Sequence, residues 1–340
     1  MESNNKKTER VIYLDYIRLF AIILVVGIHS PLPVDDANGM VYSFVTVLCT
    51  PCNAFFFMVS GALLLPMKND SWKSFLSRRL SKVIFPVIVW SAITLCIEYL
   101  DDVKTLPEIG RDFCMLPFFP HANYNYWFVY VLVGLYFLTP ILSPWLKTSN
   151  QKDVQYFLFL WMISLVFMLV ACFGIKMPKP LNGTLYYFGG WVGCYVLGYY
   201  LNTYSVKKGL KRWLLFIILP FIVYVGLKYQ NIEYDYQEVM GYITIFTALS
   251  ALSWFVLLKQ VKWQSRNWIE KMSSLSFGVY LCHTIIRDCV VCKIPFIYSY
   301  GSIALVASVW IFTLALSFII VYCLSKVPYA SYIIGYSDKR

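Results

Sequence analysis

Apolar runs of about 20 residues alternate with short polar stretches along nearly the whole chain. A helix rises about 1.5 Å per residue, so a run of that length matches the hydrocarbon core of a bilayer. The pattern predicts ten spans, at about 12–32, 41–65, 81–99, 125–146, 154–174, 184–202, 211–228, 240–258, 273–293 and 301–324. A membrane β-barrel would show shorter segments of alternating polarity. These runs are long and continuous, so the expected fold is all-α, a polytopic transmembrane helix bundle. Residues 1–11 and 325–340 read as tails around one transmembrane domain, 12–324. The first run follows Lys6, Lys7 and Arg10 and is too long for a signal-peptide core, so it reads as a retained anchor. With no soluble domain in the pattern, any chemistry is expected inside the bundle or at its mouths.

The charges orient these spans. Of 29 Lys and Arg residues, Arg18, Lys228 and Arg287 are left with the spans, and those at span edges (Lys82, Lys211, Arg212, Lys293) count with the adjoining loop. With the N-terminus inside, five lie in outer loops (Lys104, Arg111, Lys176, Lys179, Lys293) and the other 21 in cytoplasmic segments. That asymmetry predicts both termini in the cytoplasm and a multi-pass protein of the inner (plasma) membrane. The outer loops carry acids instead, among them Asp101, Asp102, Glu108 and Asp112.

Composition agrees and removes two other classes. The chain is 59% hydrophobic and 14% charged, with mean hydropathy +0.62. A soluble domain carries about 25% charged residues. The net charge of +11 sits in short loops between apolar runs, which is topology and not a nucleic-acid surface. The ten cysteines fall mostly in apolar segments, where a thiol packs as a small hydrophobe. Cys49/Cys52 and Cys289/Cys292 have paired spacing but read as packing thiols, so no metal site is expected.

The first span is the unusual one. DYIRLFAIILVVGIHS puts Asp15, Arg18 and His29 into an otherwise apolar helix. Eleven steps of about 100° bring His29 to within about 20° of Arg18, some 16 Å further along the axis. Asp15 is three residues before Arg18, the spacing of a helical ion pair. Charge within a bilayer is costly unless paired or hydrated. Arg18 can snorkel to the inner surface and His29 can be a hydrogen-bonded bundle residue. Aligned on one face, the two instead point to a polar path, with neutral His29 as a general base.

A second basic group is SRRLSKVIFP, where Arg78, Arg79 and Lys82 stand at the expected mouth of span three. They either set topology or clamp phosphate, a task suited to arginine forks. Ser60 precedes Gly61 at the end of span two, a pair that packing explains. His283 in span nine, with Arg287 one turn on, reads equally as a path residue or a bundle residue. His121 and the cluster NYNYW, with Tyr126 and Trp127, close the longest outer loop. An interfacial aromatic belt accounts for that cluster better than a sugar platform does.

In order, LDYIRLFAIILVVGIHS, FFFMVSGALLL, FLSRRLSKVIFPVIVW, NYWFVYVLVGLYFLTPIL and SFGVYLCHTII resemble segments of the acyltransferase 3 family of integral membrane acyltransferases. Arg18, ten residues and His29 match its arginine-x10-histidine signature, and the resemblance runs from about 11 to 325. Where the family often has a second arginine, this chain has Lys82, a point charge in place of a fork. The resemblance implies transfer of an acyl group, usually acetyl, from cytosolic acyl-CoA to a hydroxyl of a cell-surface or lipid-linked glycan. It implies a catalytic His29 and a required Arg18. Acetyl-CoA would then be a donor substrate, with no permanently bound cofactor. The other partners expected are the glycan acceptor and membrane lipid, and no nucleic acid. Direct transfer is favoured over an acyl-enzyme. Arg78, Arg79 and Lys82 would meet the donor's phosphates, with Asp15, Ser60, Tyr126, Trp127 and His283 in support. A transporter or flippase is the alternative, and a non-catalytic scaffold a third class. Paired Gly/Pro-broken spans, the usual mark of a transporter site, are not evident in the sequence.

Overall fold

A computed structural model describes residues 10–31, 39–68, 71–120, 122–166, 185, 188–206, 209–230, 239–299 and 301–337. Among these residues the structure is helical, without strands. The helices are α1 (Ile12–Ile28), α2 (Met40–Cys49), α3 (Cys52–Leu64), α4 (Trp72–Leu100), α5 (Leu106–Met115), α6 (Trp127–Thr148), α7 (Gln151–Val166) and α8 (Val192–Thr203). They continue as α9 (Leu210–Tyr229), α10 (Ile245–Gln260), α11 (Asn267–Cys289), α12 (Ser302–Leu324) and α13 (Ser331–Ile334). Short 3-10 turns link some of them.

Among the described residues, six helices are long and apolar enough to cross a membrane: α2 with α3, α4, α6 with the turn before it, α9, α11 with the turn after it, and α12. The other expected spans fall short for separate reasons. α1 has 17 residues and stops at Ile28, because Pro31 follows and disfavours helical geometry at Ser30. α10 has 16 residues. The expected spans 154–174 and 184–202 run partly outside the described residues, as does His121. The expected second span is two helices with a break at Thr50-Pro51. α4 begins nine residues before the expected 81, capped by Ser71, whose hydroxyl accepts from the Ser74 N–H at 3.2 Å. Hydropathy ends at the basic residues; helix formation does not.

α1 lies in the centre, packed on α3, α10, α11 and α12. Its Ile17, Ala21 and Ile22 are fully buried. α3 and α8 cross in close contact through two glycines. A Cβ on Gly61 would lie 1.8 Å from the Tyr195 carbonyl oxygen, and one on Gly198 would lie 1.8 Å from that of Met58. The expected packing role of the Ser60-Gly61 pair therefore belongs to Gly61; Ser60 is half-buried beside it.

The start of α1 and the end of α12 share one end of the bundle. Arg10 donates to the Glu270 carbonyl at 3.0 Å, and Lys271 Nζ donates to Ser325 Oγ at 3.2 Å. Beyond α12 the chain turns back. α13 packs on α4, where Trp90 Nε1 donates to the Ile333 carbonyl at 2.9 Å and Tyr332 meets Phe85 edge-on. Ala330 and Ile334 are fully buried there.

Candidate active site

Arg10 folds back onto α1. Its Nε donates to Asp15 Oδ2 at 2.7 Å and its Nη2 to Oδ1 at 3.0 Å, the two-pronged fit of guanidinium to carboxylate. Ser273 Oγ donates to the same carboxylate at 2.7 Å. Asp15 thus ties α1 to α11 and is not the hydrogen-bonded partner of Arg18 that its spacing predicts. The spacing rule compares neighbours within one helix. Arg10 stands ahead of α1 and competes from outside it.

Arg18 is left without a hydrogen bond or ion pair among the described residues. It faces a cavity of about 900 Å³ at the Arg10 end of the bundle. Arg79 reaches the same cavity from α4, and it too makes no hydrogen bond or ion pair among the described residues. Both guanidiniums line the same cavity, and Arg18 feels the charge of Asp15 more strongly than that of Arg79. Lys68 and Arg10 add positive charge to the walls, Asp15 is the one carboxylate among the lining residues, and Asn202 and Ser274 supply neutral polar groups. Asn202 is fixed by accepting from Tyr13 OH at 2.6 Å and donating to the Ala62 carbonyl at 3.1 Å.

The basic group at α4 therefore divides. Arg78 and Lys82 are exposed and do not line the cavity. Arg78 Nη1 instead donates to Ser74 Oγ at 2.6 Å, one turn back. Arg79 is exposed as well, but positions on a helix diverge by about 100° per residue, and of the three only Arg79 lines the cavity. Of the predicted clamp, only Arg79 joins Arg18. Arg10 and Lys68 read in the sequence as topology charges alone, and nothing in the sequence singles out Asn202 or Ser274.

At the other end of α1, His29 is the C-cap residue. Its half-buried ring faces the ring of His283 from α11, with centroids 5.2 Å apart and planes at 46°. The His29 carbonyl accepts from Arg287, one turn beyond His283. His283 is 1% exposed, and its Nδ1 lies 2.6 Å from the Tyr280 carbonyl. The two span histidines are therefore neighbours, a juxtaposition that sequence separation hides.

The aromatic cluster docks against the same helix. Tyr126 is buried and its hydroxyl donates to the Leu281 carbonyl at 2.8 Å. Asn123 Nδ2 donates to Thr284 Oγ1 at 3.3 Å, and Tyr280 OH donates to the Asn125 carbonyl. Trp127 stacks on Trp191 with centroids 5.6 Å apart. Tyr126 is thus an anchor and not part of an open belt; Tyr124 is the exposed ring of the cluster.

Among the described residues the aligned face is closed between the two ends. Ile22 and Val25 lie on it between Arg18 and His29 and are 0% and 2% exposed. His29 is not among the residues lining the basic cavity. The structure thus has a cavity rich in basic residues at one end and an imidazole pair at the other, with buried Ile22 and Val25 between them on the aligned face.

A family model described as an acyltransferase domain matches residues 11–325. No curated protein and no solved structure matches the chain.

Proposed function

The chain belongs to the acyltransferase 3 family, and from that premise we propose that this membrane acyltransferase moves a short acyl group, acetyl first, from cytosolic acyl-CoA to a hydroxyl of a cell-surface or lipid-linked glycan. The observation that carries the donor half is the pair Arg18 and Arg79 lining one cavity, neither with a hydrogen bond or ion pair among the described residues, while the one lining carboxylate, Asp15, is taken by Arg10. Such a pair calls for an anion, and guanidinium forks suit the phosphates of coenzyme A. The volume of about 900 Å³ falls within the usual range of small-molecule sites. Cytosolic access requires the Arg10 end to face inward, as the Lys and Arg asymmetry favours.

His29 acts as the general base. Its neutral imidazole takes the proton of the acceptor hydroxyl while that oxygen attacks the thioester carbonyl carbon. The C–O bond forms, the C–S bond breaks, and the proton passes from His29 to the departing thiolate. Arg18 lies about 16 Å of helical rise away from His29, so its part is to hold the donor and not to touch the reacting carbonyl. The narrow pantetheine arm reaches His29 once Ile22 and Val25 give way.

The test is acetyl-CoA binding to the full chain in nanodiscs, beside R18A, R79A and H29A. Saturable binding is expected, weakened about tenfold or more by either arginine change and kept in H29A, which abolishes transfer. Failure of acetyl-CoA, coenzyme A and other short acyl-CoAs to bind folded wild type would overturn the donor site. Coupled solute flux without donor binding would then favour transport. Transfer retained by correctly inserted H29A would sink the base.

A further inference from the structure

We propose that His283 is the positioning partner of His29: its Nε2 accepts a hydrogen bond from the His29 ring and so fixes which His29 nitrogen stays free to take a proton. This rests on the reading of His29 as the base.

The tautomer of His283 follows from its neighbour. A carbonyl oxygen only accepts, so the 2.6 Å approach of Nδ1 to the Tyr280 carbonyl puts the ring proton on Nδ1. Nε2 then carries a lone pair. That atom is buried and has no hydrogen-bond partner among the described residues. Buried acceptors are ordinarily satisfied, and the His29 ring is the neighbouring ring with a donor to offer, its centroid 5.2 Å from that of His283. Two imidazoles sharing a collinear N–H···N bond of about 2.9 Å have centroids about 5 Å apart. The observed 5.2 Å is the centroid separation such a bond requires.

The surroundings fix the acceptor and leave the donor free to turn. Around His283, α11 is held to the 123–126 segment by the bonds of Tyr280 and Tyr126. Arg287 grips the backbone carbonyl of His29, while the His29 ring nitrogens make no hydrogen bond among the described residues. A neutral imidazole has one N–H and one lone pair. Giving the N–H to His283 directs the lone pair away from α11, toward an incoming hydroxyl. When His29 takes that proton, its N–H to His283 becomes a charge-assisted bond. The role is that of the orienting third group in a hydrolase triad, filled here by a neutral ring.

The chain has three histidines, so selective 15N-histidine labelling gives a readable solid-state NMR spectrum of the full chain in lipid, assigned with H29A and H283A. Wild type is expected to show His283 protonated at Nδ1 and His29 in one neutral tautomer with its N–H hydrogen-bonded. H283A should let His29 populate both tautomers. H283Q, whose amide oxygen reaches toward the place of Nε2, should restore one. Should H283A not fold, H283N replaces it, since its shorter amide cannot reach. Mixed His29 tautomers in wild type, or the same single tautomer in H283A or H283N, would overturn the proposal. In a transfer assay, H283A should lower kcat by about 100-fold with acetyl-CoA binding unchanged. Transfer surviving in H29A would defeat the base assignment while leaving the tautomer result standing, so the two failures are separable.

Discussion

Arg78 and Arg79 are adjacent in sequence and differ in surroundings. One bonds Ser74 on the exposed side of α4 and the other faces the cavity beside Arg18. If the cavity holds phosphates, R79A should weaken acetyl-CoA binding about tenfold, while R78A and K82A change it less than twofold. Isothermal titration on the nanodisc-embedded protein reads the difference, and equal losses at all three would point to diffuse surface charge. The sequence makes Arg18 and His29 visible because charge and imidazole are rare within apolar runs. It does not show that Arg10 takes Asp15 away from Arg18, since that contact depends on how the segment before α1 folds back. Nor does it pair His29 with His283, which are brought together only by the packing of α1 on α11.

Helix positions read well from hydropathy where the boundary is apolar and poorly where charged residues continue a helix, as at the start of α4. The α3–α8 crossing shows how a small residue sets helix spacing. G61A or G198A would drive a methyl into a facing carbonyl, and overpacking of this kind costs about 1–3 kcal/mol. Thermal unfolding in detergent should show both variants melting lower, while G134A and G226A, with open space at the added carbon, stay near wild type. α5 offers a pH test. Burial opposes ionisation of Asp112, yet bonds from Lys104 and Arg111 outweigh it and hold its pKa below the ordinary carboxylate value. A carboxylate lowered on folding stabilises above its unfolded pKa, about 3.9, and that support is lost as pH falls through the folded value. Hydrogen exchange, corrected for intrinsic rates, should show α5 less protected in D112N than in wild type at pH 7. The difference should vanish once acid protonates Asp112.

At the scale of the whole molecule, the basic cavity and the histidine pair occupy opposite ends of one helix, α1. The proposed reaction requires the cavity end to be cytoplasmic. Reporter fusions should therefore place both termini inside and the 101–123 segment outside; a reversed result would put the donor chamber on the wrong side for cytosolic acyl-CoA. The number of crossings was less legible than the fold class. Hydropathy sees apolar length, whereas α1 ends at a proline and α2–α3 breaks at one within an unbroken apolar run.

The returning segment after α12 bears on the order in which the bundle comes together. The partner of the Trp90 indole lies 243 residues further along the chain, and Ile334 is buried beside it. A contact of that span closes a long loop and costs chain entropy that contacts between neighbouring helices do not. The face of α4 around Trp90 therefore gains its cover after nearer contacts have shortened the loop, and α13 works as a latch on a bundle already formed.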